Sequence, residues 1–193
     1  MRGVASEIGQ WLNERGYSGR SPRFWMQGRA GDWGAVELQT STSLVIGEDK
    51  FFLNVGYTPA LWWSWRSRDL KGEYPGPETG LVWDRIADPT RRIPDSAWVV
   101  PKTPDGSANT ARILRDVLGD TLSRYEQLLD PHTAWRHAID EDFRAMIASW
   151  SLMRACLLAA EGRTPQLRTA LDEIVARRAA HRPFADWIWD EVG

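Results

Sequence analysis

The chain has 193 residues, 42% hydrophobic and 26% charged, with a formal net charge of -2. That is long enough to bury a core without disulfide or metal staples, it is an ordinary globular composition, and the balanced charge counts against a nucleic-acid binder that works by bulk electrostatics. The single cysteine, Cys156, rules out an internal disulfide.

Charge is spread evenly. Residues 1–101 carry 12 basic and 12 acidic side chains, and residues 102–193 carry 12 and 14. The basic residues are 21 Arg against 3 Lys, scattered through both halves, which fits a coding bias better than a phosphate site. The first residues, MRGVASEIGQWLNERG, have no apolar stretch of the signal-peptide kind. The run ACLLAA around Cys156 is far too short to cross a bilayer. A cytoplasmic protein without membrane attachment is expected. Twelve tryptophans are the compositional anomaly. Each offers a large apolar area and an N–H that needs a partner when buried.

Residues 2–15 read as a helix, with Val4, Ile8, Trp11 and Leu12 on one side and Gly16 as the stop. The period then changes to two. Residues 23–28, 33–40 and 50–58 read as strands, with turns at 30–32 and 47–49. Connections this short imply an antiparallel meander. Weaker strand signals lie at 81–86 and 97–101. Between them and the third strand runs a polar, Gly- and Pro-rich excursion over 66–80, a surface loop that is either functional or disordered. PKTPDGSAN (101–109) is a linker.

Beyond it the chain turns helical. Ile113, Val117, Leu118, Leu122, Tyr125 and Leu129 form one stripe. Phe143, Met146, Ile147, Trp150, Met153, Leu157 and Ala160 form another, ended by Gly162. Thr164-Pro165 opens a third helix to about His181, and the tail adds at most a short turn. The expectation is an α+β fold: an N-terminal helix, an antiparallel sheet of about four to five strands, and a helical C-terminal region. The sheet region spans 1–104, and the helical region, 105–193, packs on it as one compact domain.

Strand alternation assigns the faces. Phe24, Met26, Val36, Leu38, Leu53 and Val55 go under the helices. Trp25, Gln27, Trp33, Glu37, Gln39 and Asn54 go to the other face. That face is aromatic and amide-rich with one carboxylate, and it suits a peptide, a sugar or a small polar ligand. An ordinary solvated or helix-covered sheet face has the same pattern.

The second candidate is LWWSWRSRD, residues 61–69. An extended chain sends Trp63 and Trp65 to one side and Trp62 to the other; a helix spreads the three rings around its axis. The extended form is the expectation, with one face of rings buried. Trp62, Trp63, Trp65, Arg66 and Arg68 then form a rim for a protein partner, since Trp and Arg dominate binding hot spots.

The order of these elements carries a resemblance. A short helix precedes FWM, then a strand ending in VELQTS, then FFLNVG, then LVWDRI and DSAW. Gln39 and Asn54-Val55-Gly56 are the most specific points. Over about residues 5–130 this resembles the DUF4304 family of bacterial proteins of unknown function. The resemblance implies an α+β fold and supplies no catalytic residue.

Recognised chemistry is sparse. His132, His137, His181 and Cys156 lack metal-ligand spacing, and Cys156 lies among Leu and Ala, where a thiolate is disfavoured. No catalytic residue, metal site or cofactor is assigned. The sequence-based function is a non-catalytic binding protein of a bacterium, a protein-interaction or immunity-type module whose partner is another protein, with no clear nucleic acid involved. The alternative is a metal-dependent enzyme resembling PD-(D/E)xK nucleases. It would draw Glu14, Asp32, Glu37 and Gln39 into an acidic cluster, with Gln39 where that core has Lys.

Overall fold

The structure is a computed structural model that describes residues 1–42, 45–70, 72–91, 97–130, 132–133 and 150–193. It has the expected α+β architecture, with six strands in its sheet.

Helix α1 (Arg2–Glu14) buries Val4, Ile8 and Leu12, spaced four apart on one side. It ends where Gly16 takes a φ of +93°, a left-handed value that a side chain resists. A three-residue edge strand, β1 (Ser18–Arg20), follows and pairs with β2 (Arg23–Gln27). Strand β1 leaves no mark in the sequence, because three residues cannot display a period. Strands β3 (Trp33–Ser41) and β4 (Glu48–Thr58) complete the antiparallel meander. Their register sets Val36 opposite Val55 and Glu37 opposite Asn54.

The far edge of β4 is shared. Strand β5 (Val82–Ile86) pairs with Leu53–Tyr57, and β6 (Ala97–Pro101) pairs with Glu48–Phe52. Trp98 Nε1 donates to the Ile86 carbonyl at 2.7 Å and joins the two short strands.

One face of the sheet lies under the helices. Phe24, Val36, Leu38, Leu53 and Val55 are buried there as expected, and Met26 is half-buried. Helix α3 (Gly106–Leu128) crosses beside α1, and Arg15 meets Glu126 at 2.7 Å between them. Its buried stripe is Ala111, Leu114, Leu118, Leu122 and Tyr125. Ile113 and Val117, expected at its centre, are half-buried at its margin.

Helix α4 (Trp150–Ala159) buries Leu152, Met153, Ala155 and Cys156. Phe143, Met146, Ile147 and His137 lie outside the described residues, as does the side chain of Trp150. Helix α5 (Pro165–Arg177) begins as expected: Thr164 Oγ1 accepts from Leu167 N at 3.1 Å. The tail is a ten-residue helix, α6 (Arg182–Glu191), and not a short turn. Phe184, Ala185 and Ile188 give it a buried side that an aromatic, acidic tail did not advertise. No helix among the described residues is long and apolar enough to cross a membrane.

The LWWSW stretch is a correction. It forms helix α2 (Ala60–Arg66), not an extended strand. The determinant is remote: Asp32 Oδ1 accepts from the Ala60 amide at 2.8 Å, which satisfies a helix N-terminal donor from 28 residues away.

Candidate functional site on the outer sheet face

The register builds the outer face in rows. Arg23, Glu37, Asn54 and Arg85 stand side by side across β2, β3, β4 and β5. The adjacent row is Trp25, Ala35, Gly56 and Trp83. Beyond it Gln27 pairs with Trp33, and on the other side Gln39 pairs with Phe52.

The excursion after α2 folds back over this face. Tyr74 stacks on Trp25 with ring centroids 4.2 Å apart and meets Trp33 edge-on at 5.6 Å. A 3-10 turn, Pro77–Thr79, sits on Gly56 so closely that a Cβ there would lie 2.6 Å from Pro77 Cα. Trp62 Nε1 donates to the Thr79 carbonyl at 2.9 Å and pins the turn. The loop is therefore a roof over the Trp25 and Gly56 side, which the sequence did not show because Gly and Pro carry no period.

What the roof leaves open is a cavity of about 350 Å³ lined by Arg23, Glu37, Gln39, Asn54, Trp83 and Arg85, with Glu78 at its rim. Its polar groups form a connected chain. Arg23 Nη2 donates to Glu78 at 3.0 Å, and Arg23 Nε donates to Glu37 Oε1 at 2.8 Å. The hydrogen bond to Glu37 is the main reason the Arg23 pKa rises above its ordinary value. Asn54 Nδ2 donates to Glu37 Oε2 at 3.2 Å and to Gln39 at 3.1 Å. Arg85 Nε donates to Asn54 Oδ1 at 3.0 Å, and its guanidinium lies 4.2 Å over the Phe52 ring.

Of the six face residues expected from sequence, Glu37, Gln39 and Asn54 line this cavity. Trp25 and Trp33 are half-covered by Tyr74, and Gln27 donates to the Gly31 carbonyl at 3.4 Å in the β2–β3 turn. The five rim residues do not line it. Trp62 and Trp65 pack edge-on against Phe184 of α6, at 5.3 and 5.9 Å. Arg66 and Arg68 are exposed and lie over the Trp62 and Trp65 rings. Trp63 is half-buried. The residues missed were Arg23, Glu78, Trp83 and Arg85. Period two alone puts Trp83 and Arg85 on one face of β5; which face needed the pairing of Arg85 with Asn54.

The carboxylates proposed for a nuclease-like cluster do not meet. Glu37 is on the outer face, while Asp32 turns inward and accepts from the buried Tyr57 hydroxyl at 2.7 Å. Burial pushes the Asp32 pKa up, opposed by the bonds from Tyr57 and Ala60. Glu14 is exposed on α1 and accepts from Gln10. Among the described residues no group of three or more His, Cys, Asp or Glu stands together as metal ligands. Cys156 is buried, and that burial pushes its thiol pKa far up. A larger groove of about 770 Å³ runs between α1 and the β1 edge, floored by Gly9 and Phe24. Its polar wall residues, among them Arg2, Gln10, Asn13 and Arg20, are exposed.

No family model matches the chain, and no solved structure matches it. The resemblance to DUF4304 lends the site no residue.

Proposed function

We propose that the protein is a non-catalytic binding module whose outer sheet face engages another protein. The observation that carries this is Trp83, 41% exposed beside the cavity and sharing its face with Arg85. Tryptophan and arginine are the residues that most often dominate protein interfaces, and here both stand on one strand face at the mouth of a preformed cavity. Binding is favoured over catalysis by the state of the carboxylates. Both oxygens of Glu37 and both of Asp32 hold structural donors, so neither stands ready to take a substrate proton. An immunity-type role, in which the partner is a toxin, is one form of this reading.

Site-specific photo-crosslinking in the native host tests it. A benzoylphenylalanine placed at Trp83 should trap one dominant protein, and the same group at the exposed Glu161 should not. Equal trapping from both positions, or none from position 83, removes the reading.

A further inference from the structure

We infer that Arg85 is a carboxylate-recognition point, and that an acidic side chain on an exposed segment of the protein partner enters the cavity to pair with it; this rests on the outer face being the binding face. The polar chain has an order: Glu78, Arg23, Glu37, Asn54, Arg85. Arg23 has two carboxylates, at 2.8 and 3.0 Å. Arg85, at the other end, has none within ion-pair distance among the described residues. Its neighbours are an amide oxygen and an aromatic face.

Those neighbours orient the guanidinium. Asn54, 5% exposed, is held by Glu37 and Gln39, and it takes the Nε of Arg85; Phe52 supports the plane. With Nε engaged, the two terminal nitrogens, which have no hydrogen-bond partner among the described residues, present a planar fork, the geometry that matches a carboxylate with two parallel hydrogen bonds. Side-chain freedom is already lost before the ligand arrives, so less is lost on binding. The cavity, at about 350 Å³, lies near the small end of ligand sites and admits a side chain rather than a folded element. Its other charges select within the anions. Glu37 and Glu78 line the same space and already share Arg23, so a dianion meets two carboxylates with one compensating charge between them, whereas a single carboxylate at the open fork meets less repulsion.

The test is an NMR titration of the full chain, following the Arg Nε–Hε and Trp indole signals. The probes are N-acetyl-glutamate methylamide, its glutamine counterpart and inorganic phosphate. The glutamate probe should shift the Arg85 and Trp83 signals and bind about tenfold or more tightly than the glutamine probe, with phosphate weaker than glutamate. Arg85→Gln should abolish the response. Arg85→Lys, which keeps the charge and loses the fork, should weaken it by roughly tenfold and covers the case in which the glutamine variant does not fold. Equal responses to the glutamate and glutamine probes, or a response unchanged in Arg85→Lys, overturn the proposal. The crosslinking experiment separates the two claims. A partner trapped from position 83 without any glutamate-probe response sinks the carboxylate site and leaves the binding module. A glutamate-probe response with no trapped partner leaves the recognition chemistry, overturns the acidic-segment occupant and points to a small carboxylate.

Discussion

The Tyr57 hydroxyl donates to the Asp32 carboxylate at 2.7 Å, deep under the sheet and across 25 residues of chain. The other carboxylate oxygen takes the Ala60 amide at 2.8 Å. One side chain thus fixes the start of β3, the end of β4 and the first turn of α2.

Removing it should be costly. Asp32→Ala leaves a buried phenol and a helix-terminal amide without their acceptor, an expected loss of about 2–4 kcal/mol in urea unfolding. The pH dependence has a definite sign. The folded-state pKa of Asp32 is raised above its ordinary value of 3.8, so between the two the folded chain holds a proton that the unfolded chain has released. The associated stability is fully present below 3.8 and is lost as pH rises through the raised value. Asp32→Asn has no such proton. The wild type's stability relative to Asp32→Asn should therefore fall as pH rises across that window. A difference flat with pH, or rising, refutes the assignment.

The roof depends on a missing side chain. At Gly56 a methyl would meet backbone, Pro77 Cα at 2.6 Å and its carbonyl oxygen at 2.8 Å, and backbone cannot rotate away. Gly56→Ala should destabilise the chain by about 1–3 kcal/mol and lift the turn. Tyr74 then loses its seat on Trp25, and trypsin should cut after Arg66 and Arg68 faster than in the wild type. An unchanged cleavage rate would mean the roof is held by something other than this contact.

The tryptophans of α2 should divide by helical position. Trp62 and Trp65, three apart, pack against the core and Phe184, while Trp63 points elsewhere. Trp62→Ala and Trp65→Ala should each lower stability by about 2–4 kcal/mol, somewhat below the range for a wholly buried aromatic. Trp63→Ala should cost less than either. Thermal melts of the three variants decide it; a largest loss at Trp63 would contradict the helical phase.

What sequence could show here was what local periodicity encodes. Phe24, Val36, Leu38, Leu53 and Val55 recur at every second position with Glu37, Gln39 and Asn54 at the alternate ones, so their burial and the outward turn of those three were readable before any pairing was known. Strand β1 was too short to show a period, and three other unread features depend on distant chain. Helix α2 takes its first acceptor from Asp32, the roof takes its seat from Gly56, and Arg85 takes its orientation from Asn54 and Phe52. LWWSWR fits either backbone until Asp32 arrives, with only the three-residue spacing of Trp62 and Trp65 and the terminal Arg66 hinting at a helix.

The split edge of β4 has a consequence for how the sheet assembles. Its inner edge pairs with β3, separated from it by only six residues of chain, whereas its outer edge is finished by two separate arrivals. Strand β5 must return after α2 and the roof, and β6 only after that. Closing a longer loop costs more chain entropy before any contact repays it. The two halves of one continuous strand therefore belong to different stages: Leu53–Tyr57 is enclosed once β5 docks, while Glu48–Phe52 waits for the segment that leads into α3. The row of Asn54 and Arg85 lies in the half that closes first, so that part of the outer face can form while the opposite end of β4 still lacks its neighbour.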